Sequence, residues 1–170
     1  MSTVIKNLLK VSLPESTPCI AAIDPGETTG LCCFRGHTLD DVRQITTKNV
    51  ANGAWDIRQW LHDRQPDMVV MEDYRVYSWK AKDHAWQALH TPKLIGALEY
   101  ICMIDEFPLH LQMAQQAKGF CTDQKLKIWE VYNTGRHARD AIRHAIYYLL
   151  FEVAKVQVVQ QSTGVAHEQE

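Results

Sequence analysis

The sequence predicts an α/β fold, a mixed five-stranded sheet flanked by helices, on three observations. Short apolar runs early in the chain are joined by tight turns. Near Ala54 the apolar period changes from that of strands to that of helices, and beyond it strand-like and helix-like segments alternate. With 170 residues, 46% hydrophobic and 22% charged, the chain has length for one globular domain with an ample core.

Residues 1–18 read as an N-terminal extension, closed by the stretch from Pro14 to Pro18. Cys-Ile-Ala-Ala-Ile (19–23) is an apolar run ending at Asp24-Pro25-Gly26, the pattern of a buried strand entering a turn. Leu31–Arg35 predicts a second strand, and Gly36-His37 turns it toward a third near Asp41–Thr47, so the three form an antiparallel meander. Ala54, Ile57 and Leu61, with Trp60 beside them, then make an apolar helical face that Pro66 ends. Met68–Met71 is a short apolar strand ending at Glu72. A loop rich in aromatic and basic residues follows, and a long helix is expected over 83–103, bent or interrupted at Pro92. Leu109–Met113 is the fifth strand, short helices occupy 114–131, and a final helix runs from Arg136 to about Val153. The domain therefore spans 19–153, with a polar tail over 154–170.

Composition excludes some classes. No apolar run approaches the roughly 18 residues that cross a bilayer, and Met1–Lys10 lacks the pattern of a signal peptide. The five cysteines (19, 32, 33, 102, 121) form no CxxC pair, which fits buried free thiols in a reducing compartment and a cytoplasmic location, nucleoid-associated or in a host cell. The net charge of −2 decides little, since a nucleic-acid binder needs only a local basic face. Residues 75–143 carry ten Lys/Arg against seven Asp/Glu.

Three acids stand at informative places. Asp24 ends the first buried strand, Glu72 ends the fourth, and Asp140 lies one turn into the last helix. Strand ends in such sheets point side chains into a shared crevice. If the first and fourth strands are neighbours, Asp24 and Glu72 approach there. On the last helix Ala138, Ala141, Ile142, Ala145 and Leu149 form the buried stripe; His137, Asp140 and His144 share its flank, with Arg136, Arg139 and Arg143 expected beyond, toward solvent. Each acid alone has an ordinary reading, as a turn residue, a solvated strand end and a helix-dipole partner. Together they point to a metal site. Converging carboxylates repel unless a cation sits among them, and hard oxygen donors suit Mg²⁺ or Mn²⁺. Two such ions can clamp the attacking and leaving oxygens of a phosphodiester cleavage.

Four blocks, in order, resemble the RuvC family of Holliday-junction resolvases, whose fold is RNase H-like. They are Ile20-Ala21-Ala22-Ile23-Asp24-Pro25-Gly26-Glu27-Thr28-Thr29-Gly30, Val69-Val70-Met71-Glu72, Gln115-Gln116-Ala117-Lys118 with Gly119-Phe120-Cys121-Thr122, and His137-Ala138-Arg139-Asp140-Ala141. The divergent style of Glu72-Asp73-Tyr74-Arg75 and of Asp140-Ala141-Ile142-Arg143-His144 looks most like phage-encoded members. The resemblance implies a homodimer that binds four-way DNA junctions in recombination and repair and nicks two strands symmetrically, leaving 5′-phosphate and 3′-hydroxyl ends. It makes Asp24, Glu72 and Asp140 ligands of two Mg²⁺ per site. His137 stands where the family usually has an acid, so it is a candidate ligand or proton carrier, and Mn²⁺ becomes an alternative metal.

Lys118 is the foremost expected phosphate contact, with Arg75, Lys80, Lys82 and Arg139 behind it. Tyr74 or Tyr77 would stack on an unpaired base at the crossover, unless both pack beneath their own loop. His144 is expected to hydrogen-bond beside the site. The dimer surface is expected on the long helix, at Trp86, Leu89, Leu94, Ile95 and Leu98.

Three rival functions use the same residues differently. Asp24-x-Gly26-x-Thr28-x-Gly30 resembles the phosphate loop of actin-like ATPases and sugar kinases, but that class needs a second such domain. An RNase H-like nuclease could act on another branched or hybrid nucleic acid. A non-catalytic module could keep the fold alone, though it would have no use for all three acids.

Overall fold

The structure is a computed structural model and describes residues 3–4, 18–73 and 89–153. Its strands are β1 (Thr3–Val4), β2 (Cys19–Asp24), β3 (Thr28–Arg35), β4 (Thr38–Thr46), β5 (Met68–Asp73) and β6 (Leu109–Met113). Its helices are α1 (Val50–Arg64), α2 (His90–Ile104), α3 (Ala114–Phe120), α4 (Asp123–Ile128) and α5 (Arg136–Tyr148), and a π-helical turn over Leu149–Val153 continues α5. The five expected strands form the sheet. Two residues of the N-terminal segment, Thr3 and Val4, add a short sixth strand against β4. The strand order is β1-β4-β3-β2-β5-β6.

Why β2 is central follows from its composition. All six of its residues are buried, as a strand covered on both faces requires. It runs antiparallel to β3 and parallel to β5, whose register ends at Ile23↔Met71. Asp24 and Glu72 are therefore next along two adjacent strands, the neighbour relation on which their meeting depends.

Alternation along the strands then fixes which face each acid takes. Ala21, Ile23, Val69 and Met71 pack with Ile57, Trp60 and Leu61 of α1 and Leu94 and Leu98 of α2. Ile20, Ala22 and Val70 pack on the other face with Ala141, Ile142, Ala145 and Ile146 of α5. Asp24 and Glu72 share the parity of Ala22 and Val70. They belong to the α5 side, where Asp140 is.

Several boundaries differ from expectation for local reasons. Helix α1 starts four residues early because Asn49 caps it, its side chain accepting from the Asn52 N–H at 3.0 Å. It ends at Gln65, in the left-handed region at φ 46°, one residue before Pro66. Pro92 does not break α2 but sits in its first turn, where a proline costs no hydrogen bond; residues 83–88 of the expected helix lie outside the described residues. Leu94 and Leu98 are fully buried and Ile95 nearly so. These three face the core and cannot form the dimer surface assigned to them. Leu89, Tyr100, Met103 and Ile104 are the exposed apolar side chains of this region, and Trp86 lies outside the described residues. All five cysteines are buried and free. No helix among the described residues is long and apolar enough to cross a membrane.

Candidate active site

Beyond the end of β2 the chain turns through Asp24-Pro25-Gly26, and buried hydroxyls hold that turn. Thr29 Oγ1 donates to the Gly26 carbonyl at 3.1 Å and lies 2.8 Å from Thr47 Oγ1, which bonds the same carbonyl. Helix α5 is tied to the turn from the other side. Its N-cap, Gly135, offers no side chain, and Gln44 of β4 supplies the acceptor instead: its Oε1 takes the His137 N–H at 2.9 Å and the Ala138 N–H at 3.3 Å. Gln44 could not be singled out from the sequence, because a cap from a distant strand leaves no mark near the helix.

The three acids converge. Lys118 of α3 places its ammonium nitrogen 2.9 Å from Glu72 Oε2, 3.3 Å from Asp140 Oδ2 and 4.0 Å from Asp24 Oδ1. Lys118 was expected on a phosphate; here it is the counter-ion of the cluster. Each acid has a second partner. Asp24 Oδ2 is 2.6 Å from His137 Nδ1 and Asp140 Oδ1 is bound by Arg143, while Glu72 Oε2, the oxygen that meets Lys118, is also 2.9 Å from His144 Nε2. The two histidines thus serve different carboxylates.

The surroundings set the protonation of the pair at the sheet end. Burial pushes the Asp24 carboxyl far up, and a hydrogen bond shared with Glu72 pushes it further. Burial would also raise Glu72, but hydrogen bonds from His144, Asp24 and Lys118 outweigh it and hold Glu72 low. These surroundings favour the protonated form of Asp24 and the ionised form of Glu72 in the metal-free site. Burial and the nearby Arg136 lower His137, which keeps the imidazole neutral at neutral pH.

These residues border a cleft of about 330 Å³ whose lining includes Asp24, Glu72, Lys118, His137 and Asp140, with Arg136 at its edge. The donor set fits a divalent cation. Oxygens of three carboxylates already surround one positive charge, and single ligand atoms of Asp24, Glu72 and His144 lie within 4.8 Å of one another.

The basic residues of α5 depart from expectation. Arg139 and Arg143 are not directed to solvent; their side chains are 16% and 13% exposed. Helices α3 and α4 cover that flank, and both guanidinium groups bind Asp123 of α4. Arg139 also donates to the Asn133 carbonyl at 3.0 Å. Its expected DNA contact would compete with these bonds. Tyr74, Arg75, Tyr77, Lys80 and Lys82 lie outside the described residues.

No protein-family model matches the chain, and no curated protein does. Solved structures do match. Thermus thermophilus RuvC superposes with a TM-score of 0.62 at 17% identity, covering 82% of this chain and 96% of that one. The yeast mitochondrial Holliday junction resolvase Ydc2 gives 0.55 at 12% identity, over 92% and 86%. The fowlpox virus Holliday junction resolvase gives 0.52 at 14% identity, over 78% and 97%. The chain has the fold of the RuvC-like resolvases, an α/β mixed sheet flanked by helices.

Proposed function

We propose that this chain is a structure-selective endodeoxyribonuclease that resolves four-way DNA junctions as a homodimer. The observation that carries this reading is the meeting of Asp24, Glu72 and Asp140 around one positive charge at the end of the sheet. A purely structural sheet end has no reason to bury two of these acids to 4% exposure beside a third. The structural neighbours support the substrate: Thermus thermophilus RuvC and the fowlpox enzyme have each been solved with Holliday junction DNA.

Asp24, Glu72 and Asp140 would hold Mg²⁺ or Mn²⁺, two ions per site. Bound there, such ions would supply the charge to activate a water against the phosphodiester and to stabilise a departing 3′-oxygen, which would leave a 5′-phosphate. The chain's own residues do the rest. Arg143 binds Asp140 Oδ1 and leaves Oδ2 toward Lys118, and His144 anchors Glu72 at Oε2, the oxygen it shares with Lys118. His137, with Nδ1 on Asp24, keeps Nε2 for a proton leaving the attacking water or as a further ligand. Lys118 and Arg136 bring positive charge to the cleft that a phosphodiester would enter.

Lys118 gives this reading a two-part expectation. In the DNA-free protein its ammonium competes with a divalent cation for the same oxygens. Lys118→Ala should therefore bind Mn²⁺ more tightly by titration calorimetry, by about tenfold, a change of about 1.4 kcal/mol. Junction affinity measured with Ca²⁺ present should fall, with a salt slope shallower by about one unit. An unchanged slope would remove Lys118 from the DNA interface.

The test of the function itself compares four-way junction, replication fork, RNA–DNA hybrid and linear duplex with Mg²⁺ and with Mn²⁺. Symmetric nicking confined to the junction is expected. Cleavage of the hybrid or fork at equal rates would reassign the substrate, and no cleavage of any would leave a non-catalytic module.

A further inference from the structure

The guanidinium of Arg143 ties the acid cluster to a residue that the chemistry above does not use. The side chain is 13% exposed, and each of its three nitrogens meets a different acceptor. Nη1 binds Asp140 Oδ1, Nη2 binds Asp123 Oδ1, and Nε donates to the Cys121 carbonyl at 2.9 Å. A guanidinium is planar and presents its donors in a rigid fork. Acceptors on all three nitrogens therefore fix its orientation as well as its place.

Asp123 is itself held independently of the three acids. It stands in the first turn of α4, whose cap is Thr122, accepting from the Lys125 N–H at 3.3 Å. Cys121 and Leu126, on either side of it, are fully buried in one apolar cluster with Ala141 and Ile142 of α5. The Cys121 thiol also donates to the Arg143 carbonyl at 3.6 Å. The junction between α3 and α4 is thus fastened to the turn of α5 that carries Arg143. The Asp123 side chain is 47% exposed, and the cleft lining does not include it.

We propose that Asp123 is a positioning residue of this site: it holds Arg143 on a single oxygen of Asp140, so that Asp140 Oδ2 stays turned to the cleft. Oδ2 is the oxygen 3.3 Å from the Lys118 ammonium, where a cation would bind in its place. Arginine and carboxylate favour a two-pronged pairing that takes both oxygens. Arg143 does not adopt it while Asp123 engages Nη2 and the Cys121 carbonyl engages Nε. Without Asp123, Nη2 loses its acceptor, and Asp140, already bonded to the same guanidinium, offers its second oxygen. That pairing would cover the oxygen a metal needs.

The effect on metal binding rests on the nuclease reading; the hold on Arg143 does not. By titration calorimetry Asp123→Ala should bind Mn²⁺ about tenfold more weakly, the cost typical of losing a group that orients a ligand. Asp123→Asn, which keeps an oxygen acceptor and loses the charge, should lie closer to wild type than to Asp123→Ala. In an Arg143→Gln background Asp123→Ala should change the affinity by less than about twofold. In the metal-free protein the Arg143 Nε–H, assigned through its own side-chain couplings, should exchange with water slowly, and about tenfold faster in Asp123→Ala. The half-exposed Asp123 adds little to the fold, so all these variants of Asp123 can be compared folded, and the single substitutions suffice if Arg143→Gln does not fold. Unchanged exchange in Asp123→Ala overturns the hold on Arg143. Unchanged Mn²⁺ affinity in Asp123→Ala, an equal loss in Asp123→Asn, or a loss that persists in Arg143→Gln overturns the positioning role. A wild type that binds no Mn²⁺ overturns the nuclease reading, while the exchange rates still decide whether Asp123 holds Arg143.

Discussion

Asp24→Asn, Glu72→Gln and Asp140→Asn should each lower Mg²⁺-dependent cleavage of a four-way junction at least ~10³-fold, a loss of about 4 kcal/mol in transition-state stabilisation, while junction binding survives. Each change keeps the side-chain shape and takes one metal-binding carboxylate from the group around Lys118. The loss should therefore not come from unfolding. Asp24 and Asp140 are both 4% exposed, and charges so placed are costly to the fold unless balanced. Removing one relieves repulsion as well as removing a partner of Lys118, so the metal-free thermal midpoint should shift by no more than about 4 °C. Single-turnover cleavage, a binding assay in Ca²⁺ and a melting curve on each variant check the three parts together. Near-native cleavage by any one variant would exclude that residue as a ligand.

Much of this site could be read before its geometry was known, and the reasons are local. Asp24 and Glu72 were legible because each closes an apolar strand, and alternation within a strand then sends both to the face opposite α1. Asp140 was legible from helical spacing, which put it on the flank of the buried stripe. What spacing could not supply was the second layer. Arg139 and Arg143 looked solvent-directed because α3 and α4 are too short for periodicity to show where they lie, and those helices cover that flank. Lys118 was expected on a phosphate because the resemblance of its segment implied that role. Its ammonium enters the cluster only because the sequence after β6 turns straight into α3. Leu94 and Leu98 were assigned to a dimer surface because an apolar stripe does not say whether its partner is α1 or a second copy of the chain. The cap from Gln44 and the contact of Asp123 with Arg143 are tertiary facts. No short window of sequence holds either.

The glycine that closes the first motif separates the nuclease reading from the phosphate-loop reading, and it carries the second large expected effect. In a phosphate loop, Gly30 would be small so that backbone amides could approach a nucleotide. Here the space beside Gly30 is filled by the chain itself. A Cβ added there would lie 1.9 Å from the His137 carbonyl oxygen, 2.1 Å from the His137 carbonyl carbon and 2.6 Å from the Ala138 nitrogen. These are backbone atoms of the first turn of α5, so no rotamer change can relieve them. Either β3 or α5 must move, and α5 carries His137 and Asp140. Gly30→Ala should therefore destabilise the protein by about 1–3 kcal/mol and, in the fraction that stays folded, lower junction cleavage by about 100-fold, the usual cost of displacing a catalytic group by about 1 Å. Gly96→Ala is the matched control. Its Cβ would meet nothing within 4 Å, and alanine is the better helix former by about 0.8–1.0 kcal/mol, so melting should rise slightly with cleavage unchanged. Denaturant titration and single-turnover rates on both variants decide the matter. If Gly30→Ala keeps wild-type stability and rate, α5 does not depend on that close approach, and the glycine must serve something else.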